Sequence, residues 1–115
     1  MKFNDKKSIF LQIADYFYEN ILLRKMNDND RIPSVRELAI NIEVNPNTVM
    51  RTYQHLQDKQ IIYNKRGIGY FIAEQAYDKV LEIKKEAFIN EDLPEFFKTL
   101  DLLNLDINDI KKYKK

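Results

Sequence analysis

The sequence predicts a mostly helical α+β fold, and three observations carry that prediction. Apolar residues recur at three- and four-residue spacing through most of the chain, the period of a helix with one buried face. Two helix-start signals, Ser34 with Glu37 and Asn45 with Pro46, stand close together with only a short segment between them. One stretch, from Ile61 to Ile72, drops the helical period for two β-branched and aromatic runs around the only two glycines, Gly67 and Gly69.

Each element follows in order. Ile9, Ile13, Phe17 and Ile21 recur every four residues, widened by Leu22 and Tyr16, and predict a first helix over 8–25. Asn27-Asp28-Asn29-Asp30 ends it, because short polar side chains compete for backbone hydrogen bonds. Ser34 and Glu37 have capping-box spacing, and Val35, Leu38, Ala39 and Ile42 give a two-turn helix over 35–42. Glu43-Val44 is a turn, and Asn45-Pro46 starts a third helix over 46–58 with Val49, Tyr53 and Leu56 as its buried stripe. Ile61-Ile62-Tyr63 and Tyr70-Phe71-Ile72 are two strands of a hairpin whose tip holds both glycines. Beyond Glu74 the chain is helical again over 74–89. Asn90-Glu91-Asp92-Leu93-Pro94 interrupts it, a helix resumes over 94–104, and Asp106 caps a last turn.

Composition narrows the function. The 115 residues, 44% hydrophobic and 32% charged, suit one domain or one small domain with an appendage. With no cysteine there are no disulfides, thiolate nucleophiles or thiolate metal sites. The single histidine, His55, leaves little for a metal site or an acid–base pair, so no cofactor, no metal and no enzymatic activity are expected. No apolar run reaches the roughly 18 residues of a membrane span, and the N-terminus has no signal-peptide pattern. A cytoplasmic protein without membrane contact is the expectation. The formal charge of +1 hides an asymmetry: residues 1–73 hold 11 Lys and Arg against 8 Asp and Glu, residues 74–115 hold 8 against 10. A basic front and an acidic back suit a nucleic-acid binder with a separate assembly region.

Two short helices joined by a tight turn and followed by a hairpin describe a winged helix-turn-helix over 1–73, with a short C-terminal helical dimerisation region over 74–115. The second helix of the pair would read double-stranded DNA, since an α-helix fits the major groove. At 100° per residue, Asn47, Arg51 and Gln54 point away from Val49, Tyr53 and Leu56. Asn and Gln pair with adenine and Arg with guanine. Thr48 lies beside the helix N-terminus, where free amides favour a phosphate. Lys65-Arg66-Gly67 forms a cationic finger for a phosphate or the minor groove. Ser34 is explained as a helix cap, and its hydroxyl is also placed to meet phosphate. Taken singly, an outward polar residue is most often solvated; the reading rests on the elements arriving together. A protein-docking winged helix and an RNA-binding one are the alternatives.

Arg31-Ile32-Pro33-Ser34-Val35-Arg36-Glu37-Leu38-Ala39, Val44-Asn45-Pro46-Asn47-Thr48-Val49, Tyr53-Gln54-His55-Leu56 and Gly67-Ile68-Gly69-Tyr70-Phe71-Ile72 resemble the DNA-binding domain of GntR-family bacterial transcription regulators. The short tail is most similar to the YtrA-like subfamily. The resemblance implies that Arg36 contacts the phosphate backbone, and that Asn45, Asn47, Thr48, Arg66 and Gly67 contact bases or backbone. Pro46 and Met50 depart from the family, many members having arginine at both places, so Asn45 and Asn47 should weigh more in specificity. The tail exposes more apolar surface than so short a piece can bury. Tyr77, Leu81, Phe88, Phe96, Phe97, Leu100 and Leu103 are therefore expected to join two copies in a homodimer that represses by occupying an inverted-repeat operator. An unidentified small-molecule effector is placed near Ala73–Tyr77 or between the dimer helices.

Overall fold

The four-residue apolar spacing at the N-terminus becomes helix α1 (Ile9–Leu22) in the computed structural model, which describes residues 1–115. Its buried stripe is Ile13, Ala14, Phe17, Tyr18 and Ile21, while Ile9 and Tyr16 are exposed. The core-facing side is thus rotated from the expected one toward Ala14 and Tyr18. The helix also ends three residues before position 25. Arg24 turns left-handed at φ 62°, its N–H bonds the Ile21 carbonyl, and the Lys25 N–H bonds the Asn20 carbonyl, which together close a Schellman end.

Helices α2 (Val35–Asn41) and α3 (Pro46–Asp58) lie where the start signals put them. Both stop in the same way as α1. Glu43 at φ 54° follows α2 and Gln60 at φ 61° follows α3, with Val44 N–H bonded to Ala39 O and Ile61 N–H to Leu56 O. No glycine serves any of these ends. The Lys79 ammonium donates to the Gln60 carbonyl at 2.9 Å, so a cation also caps the α3 terminus.

The sheet has three strands, β1 (Arg31–Ile32), β2 (Ile62–Lys65) and β3 (Gly69–Ile72), antiparallel in the order β1-β3-β2. The pairings are Arg31 with Phe71, Ile32 with Tyr70, Tyr63 with Phe71 and Lys65 with Gly69. Strand β1 was not expected. Two residues cannot display an alternation, and Pro33 ends the strand at once. It exists because β3 offers it a partner. Strand β2 runs on to Lys65, leaving a tight loop over 66–68 in which Gly67 takes φ 77°.

The core of this part lies between α1, α3 and the inner sheet face. Phe17, Tyr53 and Tyr70 meet edge to face, with ring centroids 5.7 Å and 4.8 Å apart in succession. The Tyr53 hydroxyl donates to the Pro33 carbonyl at 2.6 Å, tying α3 to the entry of α2. Thr52, fully buried, places its hydroxyl 2.9 Å from the Phe10 carbonyl and 3.1 Å from that of Thr48. No buried side-chain polar atom lacks a partner.

The hairpin ends at Ala73, but the first compact unit, Met1–Leu81, continues into helix α4 (Ala76–Ala87) because Ala76 and Val80 are buried. The second unit, Glu82–Lys115, holds the rest of α4, then α5 (Leu93–Leu102) and α6 (Ile107–Lys111). The expected interruption at Asn90–Pro94 is instead a π turn over Phe88–Asp92. Ala87, Asp92 and Leu93 all keep helical dihedrals, and the Leu93 N–H bonds the Phe88 carbonyl five residues back. Pro94, which has no N–H to give, sits just beyond it in the first turn of α5. Asp106 caps α6 in a reciprocal box with Asp109. No helix is long and apolar enough to cross a membrane.

Candidate nucleic-acid interface

Helix α3 packs against α1, α2 and β2, and this fixes which of its sides is left outside. Val49, Thr52, Tyr53 and Leu56 are fully buried, while Asn47, Met50, Arg51 and Gln54 are exposed. The outward set is the one expected from a 100° rotation per residue, with Met50 added to it. An exposed thioether beside polar side chains suits contact with a thymine methyl.

The N-terminus of α3 differs from the expectation in one respect. Its first-turn amides are not open to a phosphate. Pro46 has none, the Asn47 N–H is taken by the Asn45 side-chain oxygen at 2.8 Å, and the Thr48 N–H by the Asn45 carbonyl at 2.9 Å. Asn45 therefore caps through Oδ1, and its side-chain N–H groups remain for an outside acceptor. Thr48 is half-buried.

Two outward side chains are already held. The Arg51 guanidinium lies over the Phe10 ring, 4.0 Å from its centroid, which orients it against α1. Gln54 donates from Nε2 to Asp58 Oδ1 at 3.0 Å, so it reaches a base edge only by giving up that bond. Of the outward polar trio Asn47, Arg51 and Gln54, Asn47 is the one whose side chain is not held by another.

At α2 the capping box is closed in both directions. Ser34 Oγ accepts from the Glu37 N–H at 3.1 Å, and the Glu37 carboxylate accepts from the Ser34 N–H at 3.0 Å. Those bonds from Ser34 hold the Glu37 carboxyl below its ordinary value. Arg36, in the first turn of α2, is exposed and in no ion pair. On the wing, Lys65, Arg66 and Gly67 are exposed, with open space around Gly67. Sequence reasoning missed Arg31, whose guanidinium lies against Gly69 at the base of the wing. No local signal marks it, because its neighbour is set by strand pairing.

His55 is half-buried among its neighbours. Its ring meets Phe10 edge to face at 5.9 Å, and its Nε2 lies 3.4 Å from the Tyr18 hydroxyl. Burial, helped by the Lys59 charge, pushes its pKa below the ordinary value.

Of the residues expected to join two copies, Phe88, Phe96, Phe97 and Leu103 are exposed, and Tyr77 and Leu81 are half-buried. Tyr77 carries the Arg24 guanidinium 3.5 Å above its ring. Leu100 is only 5% exposed, so the chain itself buries it and it offers no surface to a second copy. Near Ala73, where an effector was expected, an open cleft of about 400 Å³ is lined by Gln57, Ile62, Asn64, Ala73 and Lys79 among others. No group of three or more His, Cys, Asp or Glu side chains gathers to hold a metal ion.

Known proteins place this geometry. Residues 10–72 match the family described as bacterial regulatory proteins, gntR family. The HTH-type transcriptional regulator YhcF of Bacillus subtilis is 38% identical over 104 residues, covering 90% of this chain and 84% of that one. The HTH-type transcriptional repressor YtrA of the same organism is 40% identical over 87 residues, 76% of this chain and 66% of that one. A crystal structure described as a GntR-family transcriptional regulator from Bacteroides thetaiotaomicron superposes with a TM-score of 0.75 at 46% identity, covering 91% of each chain. The winged helix-turn-helix, its outward α3 face and these likenesses agree, and the chain belongs to the GntR family of DNA-binding bacterial transcription regulators.

Proposed function

We propose that the protein is a repressor that binds an inverted-repeat operator as a homodimer, with α3 in the major groove and the wing on the adjacent backbone or minor groove. The observation that carries this reading is the division of α3 into a fully buried side and a polar side facing solvent. Asn45 and Asn47 read base edges, Arg51 and Gln54 follow them along the helix, and Arg36, Lys65 and Arg66 hold phosphates. Ser34 and Thr48 support the backbone contacts, and Gly67 lets the wing approach closely. Residues 1–73 form the DNA-binding part and residues 74–115 the assembly part. The repressor role is supported by the likeness to the transcriptional repressor YtrA of Bacillus subtilis.

The dimer reading is supported by the second unit, where Phe88, Phe96, Phe97, Leu102 and Leu103 are all exposed on a short stretch of chain. So many large apolar side chains left exposed on one short stretch favour a partner surface, and a two-fold pair covers them with its own copy. The test is fluorescence anisotropy on a duplex carrying the gene's own upstream region, with excess random DNA as competitor. Competitor-resistant binding that Asn47→Ala weakens by about 1–3 kcal/mol on the specific site alone is the expected result. Equal loss on random DNA would remove Asn47 from the reading set.

A further inference from the structure

Strand register places five residues on the outer face of the sheet. Arg31, Phe71 and Tyr63 are partners across β1, β3 and β2, and Lys65 with Gly69 forms the next pair on that side. The opposite face carries Ile32, Ile62 and Ile72, all buried, so the first set points outward. Its floor is aromatic: Tyr63 and Phe71 stack with centroids 5.5 Å apart and planes 20° from parallel. The Lys65 ammonium stands 5.5 Å from the Phe71 centroid.

Gly69 is the unusual member. A Cβ built on it would lie 3.2 Å from Arg31 Nε, 3.5 Å from Nη2 and 3.6 Å from Cζ. Nε and Nη2 stand nearest and Cζ behind them, so the guanidinium rests on the bare glycine through that side and leaves Nη1 turned away. A side chain at 69 would crowd it by a few tenths of an ångström and would be strained at φ 148°. Arg31 feels the Glu37 carboxylate at a distance, but neither it nor Lys65 forms an ion pair. Two cations from different strands thus flank one bare backbone position at the base of the wing. Like charges held on one face gain from an anion between them, and the anion that a DNA-bound wing meets is a backbone phosphate.

We infer that Arg31 is a DNA-backbone contact, seated on Gly69 and acting with Lys65 on one phosphate beside the wing. This rests on the chain's binding of duplex DNA and adds a residue to it. The contact is sequence-independent, so a random duplex of about 30 base pairs serves as probe, titrated across a salt series with wild type, Arg31→Ala and Arg31→Lys. Arg31 is exposed, so neither change opens the core. Losing one phosphate contact lowers the slope of log affinity against log salt by about 0.9, making the fall in affinity between about 50 and 200 mM salt about 3.5-fold smaller. Arg31→Ala is expected to show that change, and Arg31→Lys, which keeps the charge, to recover most of the slope. Weaker binding by Arg31→Ala at an unchanged slope would assign Arg31 a structural role and overturn the inference. Wild-type protein whose duplex binding ignores salt would overturn the phosphate seat together with the reading beneath it, and that is seen before any variant is compared.

Discussion

Tyr53 joins the helix pair to the sheet through one side chain. Its ring fills the space between Phe17 and Tyr70, and its hydroxyl donates to the Pro33 carbonyl at 2.6 Å. Burial pushes the phenol well above its ordinary range, so it stays neutral and keeps donating. Tyr53→Phe retains the packing but leaves that carbonyl without its partner. We expect a loss of about 1–3 kcal/mol in urea unfolding, with little change in the fold itself. His55 gives the pH dependence. Its folded pKa lies below the unfolded value of about 6.5, so above that pH it is neutral in both states and costs nothing. As pH falls through 6.5 the unfolded chain binds the proton more readily, and stability is lost. The melting temperature is expected to drop between about pH 7 and 5.5, and more gently in His55→Gln. At this scale the sequence was legible where geometry is local. Val49, Tyr53 and Leu56 face inward because a helix turns 100° per residue. Arg31 against Gly69 was not legible, since its neighbour depends on strands far apart in the chain.

Single elements show the same divide. Helices α2 and α3 carry their own start signals, a capping box at Ser34 and an Asn-Pro pair at 45–46, and both signals read from the sequence became real bonds. Strand β1 carries no signal of its own, because two residues gain strand geometry only from β3. The π turn was hidden for another reason: Asn90 to Pro94 has the composition of a break, yet bonding five residues back carries the helix up to the proline, which α5 takes into its first turn. Helix ends offer the clearest test. Glu43 stands left-handed at φ 54° in the turn between α2 and α3, a conformation that disfavours an L side chain by about 1–2 kcal/mol. Glu43→Gly removes that strain and returns part of it as unfolded-chain entropy, so a net stabilisation of about 0.5–1 kcal/mol is expected. A thermal melt that moves downward instead would show that the Glu43 side chain holds the turn in some other way.

For the whole molecule the question is what covers the apolar residues of the second unit. Phe96 and Phe97 lie side by side with centroids 5.9 Å apart, and both are exposed. If a second copy covers them, light scattering at micromolar concentration gives a mass near twice 13.8 kDa. Phe97→Glu should then shift the mass to one chain, leave the first unit folded, and weaken operator binding by far more than it weakens binding to a single half-site. A wild-type monomer would sink the dimer reading without touching the assignment of α3. Leu100 marks how far sequence could go here. It has the same apolar character and helical spacing as its neighbours, and only the folded chain separates the residue it buries for itself from those it leaves outside.

The π turn also bears on how this region can change length. Inserting one residue into an uninterrupted α-helix turns everything beyond it by about 100°, which would swing Phe96 and Phe97 away from whatever they face. A turn that already bonds five residues back holds one residue more than the α path needs, and so absorbs such an insertion locally. Deleting one residue between Phe88 and Asp92 should therefore relax the segment to plain α-helix with the aromatic pair keeping its bearing, whereas the same deletion within α5 should not be tolerated. A one-residue change of length is thus accommodated best at the π turn, and a gap in an alignment of the tail is expected there.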